Sequence, residues 1–216
     1  MVATRRGRPT RAEAEELDLA IRKAAVATFL EFGYPGATVE TIARAAGTTK
    51  RSVYARYADK RAIFVDVIPW ALSRYADSDR DEMPGDDEEE DLETALLRIG
   101  RVALSRAVDP EHVGLMRIAM NEAARFSEFD VAMHSMMWSG RQRAVVRLLR
   151  RHQERGYVQV DDIQIAAEHF LAMVELVPGR LADFGFFRTE KDSERHLRQA
   201  VSLFMRGAVP HRSRRR

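Results

Sequence analysis

Apolar residues recur along this chain at spacings of three and four, the period of helices that bury one face. Leu17, Ile21, Ala25, Phe29 and Phe32 predict a first helix over residues 12–32, closed by Gly33 and the Pro35-Gly36 pair. Val39, Ile42, Ala43 and Ala46 predict a short second helix, with Thr38 as its N-cap and Glu40 in its first turn. Gly47 then supplies the left-handed backbone of a sharp turn. A third helix follows, with Val53 and Tyr57 turned inward. Ile63, Phe64, Val67, Ile68 and Ala71 predict a fourth, running behind Asp59 as cap to about residue 76 and kinked at Pro69.

After an acidic stretch the helical period resumes five times. Leu92, Leu96, Ile99 and Ala103 stripe one helix, which stops before Asp109-Pro110. Val113, Met116, Ala119, Met120 and Ala123 stripe the next, to about residue 125. A long third stripe runs from Phe129 through Met133, Met136, Met137, Ala144, Val145 and Leu148 to Leu149, ending at Gly156. Asp161 or Asp162 caps a fourth, whose apolar face includes Ile165, Ala166, Phe170, Val174 and Val177 and which ends before Pro178-Gly179. A short segment, Leu181–Phe187, leads to a last helix carrying Leu197, Val201, Phe204 and Met205 to Gly207. No alternating strand pattern interrupts these stripes. The fold is expected to be all-α: an N-terminal three-helix DNA-binding domain and a C-terminal helical ligand-binding and dimerisation domain.

The second and third helices carry the chemistry. Lys50, Arg51, Ser52, Tyr54 and Arg56 face outward on the third, a basic, hydroxyl-bearing and aromatic surface that suits a DNA major groove. Together with the glycine turn this reads as a helix-turn-helix. Lys60, at the start of the fourth helix, is placed for a phosphate, which would set register while base edges set specificity.

Charge sharpens this picture. The net charge is +2, but residues 1–75 hold 13 Lys+Arg against 8 Asp+Glu, and residues 76–108 hold 4 against 11. Basic charge around the helix-turn-helix is the footprint of phosphate binding. The acidic run would be repelled by DNA and reads as a solvated loop. It lacks the D-x-D-x-D-G spacing of a calcium loop. The N-terminal segment M-V-A-T-R-R-G-R-P-T-R has no apolar period. Its R-G-R-P resembles the core of an AT-hook, so Arg6 and Arg8 are candidates for a minor-groove contact as well as for a simple solvated tail. The expected division is a basic arm at 1–11, the helix-turn-helix domain at 12–58, and a connecting helix at 59–76. An acidic loop at 77–91, the second domain at 92–207 and a basic tail at 208–216 complete it.

The first unit resembles the tetracycline-repressor (TetR) family of bacterial transcription regulators. The resemblance is carried by Ala25, Phe29, Gly33 and Tyr34, by Thr38, Ile42, Ala43, Ala46 and Gly47, and by Ser52, Tyr54, Tyr57 and Lys60. It covers roughly residues 14–64, and Pro110–Phe126 resembles a motif of one subset of these regulators. The resemblance implies a homodimer on a palindromic double-stranded operator, repression, and release by a small molecule. It puts Lys50, Arg51, Ser52, Tyr54 and Ala55 on the base-facing surface, beside Thr49 and Arg56, and places Thr38, Tyr57 and Lys60 near phosphates. Two positions depart from the family habit: Arg51 stands where glycine is common, and Tyr57 where phenylalanine is. Helices 161–177 and 190–207 are the expected dimer bundle by the same analogy. An activator on the same fold is the alternative, followed by an all-α ligand-handling enzyme or carrier.

Met116, Met120, Phe126, Met133, Met137, Trp138 and Phe170 form a sulfur- and aromatic-rich set in the second domain, suited to a largely apolar small-molecule effector. The same side chains also suit plain core. Arg117, Asn121, Glu122 or Arg125 would orient a polar group of that ligand. With no cysteine there is no thiolate metal site or thiol nucleophile. No H-E-x-x-H, P-loop, G-x-S-x-G or dinucleotide fingerprint occurs, so neither enzyme nor cofactor is expected. No apolar run approaches the ~18 residues of a membrane span, and no secretory h-region precedes the first helix. A cytoplasmic protein without a membrane partner is the expectation.

Overall fold

The computed structural model describes residues 10–82, 90–126 and 140–209, with side chains described outside 76–82. The candidates Arg6, Arg8, Met133, Met137 and Trp138, residues 83–89 of the acidic loop and residues 210–216 of the basic tail lie outside these residues. Everything regular among the described residues is helical, with no strand. None of these helices is long and apolar enough to cross a membrane.

The described residues divide into two units, 10–71 with 118–126 and 72–117 with 140–209. In the first, α1 spans Arg11–Gly36 behind a capping box, in which the Thr10 hydroxyl accepts from the Glu13 N–H and the Glu13 carboxylate accepts from the Thr10 N–H. Gly33 breaks its helical backbone at φ 65, as the glycine–proline signal predicts. Next come α2 (Val39–Ala45) and α3 (Lys50–Tyr54), and α4 (Lys60–Glu82) begins here. Ile21, Ala25, Phe29, Ile42, Val53, Ile63, Phe64, Val67 and Ile68 form the buried core. Phe32 departs from its predicted stripe and is 48% exposed.

Helix α4 differs from expectation at its end. It runs on to Glu82 rather than ending near 76. The buried Val67, Ile68, Ala71 and Leu72 flank the proline, and their packing outweighs the single backbone bond that proline cannot make.

The second unit is organised on α5 (Leu92–Ala107), whose Asp91 cap accepts from the Thr94 N–H at 3.0 Å. Against it pack α7 (Gly140–Glu154), a π-helical turn (Ala172–Leu176), α9 (Val177–Asp183) and α10 (Glu190–Ala208). Between them in sequence lie α6 (Pro110–Glu122), with a 3₁₀ turn at Ala123–Arg125, and α8 (Ile163–Leu171). Leu96, Ile99 and Ala103 meet Val145, Leu149, Phe170, Val174, Leu197, Val201 and Phe204 in one core. Gly100 sits where α5 meets that core: a Cβ there would run into Leu197 Cδ1 and lie 3.6 Å from Phe170 Cζ.

The expected helix end before Pro178-Gly179 is also corrected. Proline falls in the first turn of α9, and the π turn before it carries the chain through it without a break. Asp162, not Asp161, is the cap of α8. Residues 118–126, expected in the second domain, pack with the first unit.

Candidate nucleic-acid interface

Each helix of the helix-turn-helix is started by a hydroxyl. The Thr38 side chain accepts from the Thr41 N–H at 3.1 Å, and the Thr49 side chain accepts from the Ser52 N–H at 3.1 Å. These bonds satisfy donors that a short helix leaves open. Between α2 and α3, Gly47 takes φ 63, and a Cβ there would have open space but the wrong backbone. Val53, fully buried, is the side chain by which α3 holds to the core.

The opposite face of α3 is open. Lys50, Arg51 and Tyr54 are exposed, Tyr54 by 51%. The side chains of Arg51 and Tyr54 make no hydrogen bond or ion pair among the described residues. Lys50 reaches Glu40 on α2 at 3.0 Å. That bond holds the Glu40 carboxyl below its usual range, and Lys50 must let it go to reach a phosphate. Ser52 is half-buried, its hydroxyl 3.0 Å from that of Thr49.

Three predicted contact residues are instead engaged inward. Arg56 pairs with Asp18 on α1 and donates to the Ser52 carbonyl at 3.2 Å. The Tyr57 hydroxyl donates to Asp66 Oδ2 at 2.8 Å, and Arg22 binds the same carboxylate at 3.1 Å. Burial lifts the Tyr57 phenol above its usual range, against Arg22 and with Asp66, so it remains a donor. Lys60 Nζ donates to the carbonyls of Tyr34, Ala37 and Pro35 at 2.8, 2.9 and 3.3 Å. It also lies 4.6 Å from the centre of the Tyr34 ring. These side chains orient α3 and close the end of α1. The sequence signal for this was present but easily misread: a basic side chain beside a recognition helix looks the same whether it faces phosphate or carbonyl.

Of the predicted effector set, Met120 and Phe126 fall in the first unit and Met116 and Phe170 in the second. Phe126 is fully buried in the first unit, with its ring 4.9 Å from Tyr34 and 5.0 Å from Phe64. Arg61 lies over its face at 4.7 Å. Phe126 completes the aromatic core beneath the helix-turn-helix. Phe170 is likewise fully buried, edge-to-face on Phe204 at 5.3 Å. Met116 is half-buried, and Met120 is 49% exposed. Sequence reasoning missed a polar cluster in the second unit, which includes Tyr75, Arg106, His112 and Arg141. Its signal was arginine on an apolar stripe: Arg106 follows Ala103 by three, and Arg141 precedes Ala144 by three. Among the described residues no three His, Asp or Glu side chains converge as a metal site.

Comparison with known proteins agrees with this architecture. Residues 21–67 match the family described as bacterial regulatory proteins, tetR family, and residues 94–207 match the AefR-like transcriptional repressor C-terminal domain. No curated protein matches the chain by sequence. Among solved structures, a proposed TetR-family transcriptional regulator from Mesorhizobium loti superposes with a TM-score of 0.76 at 24% identity, covering 94% of this chain and all of its own. The flavonoid-responsive regulator FrrA gives 0.69 at 26% identity, over 91% of this chain and 98% of that one. A TetR transcriptional regulator from Agrobacterium tumefaciens gives 0.74 at 19% identity, over 91% and 96%.

Proposed function

The chain belongs to the tetR family of bacterial regulatory proteins, and on that premise we propose that it is a ligand-responsive repressor that binds a palindromic operator as a homodimer. The observation that carries the DNA reading is the asymmetry of α3. One side is anchored by Val53, while Arg51 and Tyr54 are held out with no other engagement among the described residues. Arg51 supplies a two-pronged donor for a guanine edge, Tyr54 a thymine-methyl or phosphate contact, and Lys50 and Ser52 flank them. Thr38 and Thr49 present the capped helix starts to phosphates. Arg56, Tyr57 and Lys60 act one step back, by fixing the angle of α3. Arg6 and Arg8 reach the adjacent minor groove.

Repression is supported by the match of the second unit to an AefR-like repressor domain. Dimerisation is supported by exposed apolar side chains on the last helices, Ile165, Leu176, Val177 and Leu203. A two-fold bundle of 161–177 and 190–207 would cover them. Ligand response is supported by FrrA, whose name records a flavonoid response on the same architecture. An effector need only bind more tightly to a dimer whose recognition helices no longer match successive major grooves.

Selection of bound fragments from genomic DNA tests the reading. A palindromic site is expected, with affinity falling steeply as salt rises, since each neutralised phosphate adds a slope of about 0.9 in log K against log salt. Binding that ignores salt, or no enrichment of any fragment, would refute it.

A further inference from the structure

Between α9 and α10 the chain reads Phe184-Gly185-Phe186-Phe187, and its three rings are 78%, 67% and 54% exposed. None of them makes a ring contact among the described residues. The backbone fixes this exposure. The Phe186 N–H donates to the Leu181 carbonyl and the Gly185 N–H to the Ala182 carbonyl, both at 2.9 Å, with Gly185 at φ 79. That is the pattern by which a left-handed glycine closes a helix. On the other side the Thr189 hydroxyl accepts from the Asp192 N–H at 3.1 Å and starts α10. A loop pinned at both ends presents its side chains with little further loss of entropy on binding.

The loop continues an apolar face. Helix α9 has seven residues, so about 10 Å of helix separates the loop from the exposed Leu176 and Val177. The turn behind those two is held as well. His196 on α10 donates from Nε2 to the Val174 carbonyl at 3.0 Å, an acceptor to which Pro178, four residues on, has no N–H to give. Area then decides what the face can bind. At their exposures the three phenylalanines present about 400 Å². A permanent homodimer buries about 1,000 Å² or more on each partner, about 65% of it apolar. The aliphatic side chains of the helical face, each about half exposed, present about as much as the loop. Either part alone falls short, and the two together suffice. The loop itself carries no charge, which suits the dry centre of an interface.

We propose that the Phe184–Phe187 loop is a clamp on a second copy of this chain, its rings packing on the partner protomer beyond the bundle of the last helices. The inference rests on the proposed homodimer and adds to it the element that sets how firmly the two copies hold. A two-fold axis repeats the loop, so each protomer gives the same three rings and receives the same three. Aromatic side chains in desolvated contacts are the usual anchors of an interface. A palindromic operator needs both recognition helices, so at low protein concentration the clamp governs operator binding by keeping the dimer together.

The test uses the full-length chain. Sedimentation with fluorescence detection, from picomolar to micromolar protein, compares the wild type with F184S/F186S/F187S and with L176S/V177S. The wild type is expected to be a dimer, and each variant should raise the dimer Kd at least tenfold with unchanged circular dichroism. Benzoylphenylalanine in place of Phe187 should join two chains on irradiation, which decides the matter even where a serine variant misfolds. A dimer that the triple variant leaves intact, while L176S/V177S weakens it, overturns the clamp and keeps the homodimer. A wild type that stays monomeric throughout refutes the homodimer reading and the clamp with it. Cross-links confined to a single chain overturn the clamp by turning the rings onto their own protomer. Binding to phosphatidylcholine–phosphatidylglycerol vesicles that the triple variant loses, with its dimer unchanged, overturns it in favour of a lipid surface.

Discussion

Replacing Lys60 by methionine separates a structural from a DNA-contacting role for this side chain. The substitution keeps the stem and removes the ammonium, whose three donors reach the Tyr34, Ala37 and Pro35 carbonyls at 2.8 to 3.3 Å. Those carbonyls lie at the end of α1, where helix geometry leaves acceptors open. A hydrogen bond from a charged donor contributes about 1.5–3 kcal/mol net. The three here share one half-exposed ammonium, so together they contribute about 2 kcal/mol rather than their sum. The cation above the Tyr34 ring adds about 0.5–1 kcal/mol. The expected loss of about 2–3 kcal/mol corresponds to a fall in Tm of about 5–10 °C for a chain of this size. Thermal unfolding followed by circular dichroism measures it. Arginine should rescue little, because a planar fork does not match three converging carbonyls. DNA affinity should fall through the loosened end of α1, with the salt slope unchanged. An unchanged Tm together with a salt slope reduced by about 0.9 per protomer would refute this reasoning and make Lys60 a phosphate contact.

Other outcomes follow from the same geometry. R51A and Y54A should leave Tm nearly unchanged, since both side chains are exposed, while R51A costs about 1–3 kcal/mol per half-site in operator affinity, read by fluorescence anisotropy. G100A should cost about 1–3 kcal/mol in urea unfolding, because the added methyl meets the buried Leu197; a neutral result would mean that Leu197 can rotate away. His112 carries a pH signature. Its native value near 4 lies below the ordinary 6.5, so between those values the unfolded chain takes up a proton that the native chain refuses. Stability present above pH 6.5 is therefore lost as pH falls toward 4, by a total on the order of 3 kcal/mol. Urea midpoints of wild type and H112N should converge as pH falls through this window, and parallel curves would show that the ring is solvated.

The sequence by itself determined which stretches are helices, where the helix-turn-helix lies and which of its residues can face a groove. These follow from interactions within a few residues: the 3.6-residue period, the Thr38 and Thr49 caps, and Gly47 at a left-handed turn. Local signals also specified the break at Gly33. Only the tertiary structure decided what long side chains do. Lys60, Arg56 and Tyr57 could as well have faced phosphate, but partners 9 to 38 residues away turn them inward. Packing likewise put Phe126 under the helix-turn-helix and gathered Arg106, His112 and Arg141 from three helices. The physical reason is that periodicity reports which face of a helix is apolar, whereas the partner of that face, or of a flexible cation, is set by contacts between residues far apart in the chain.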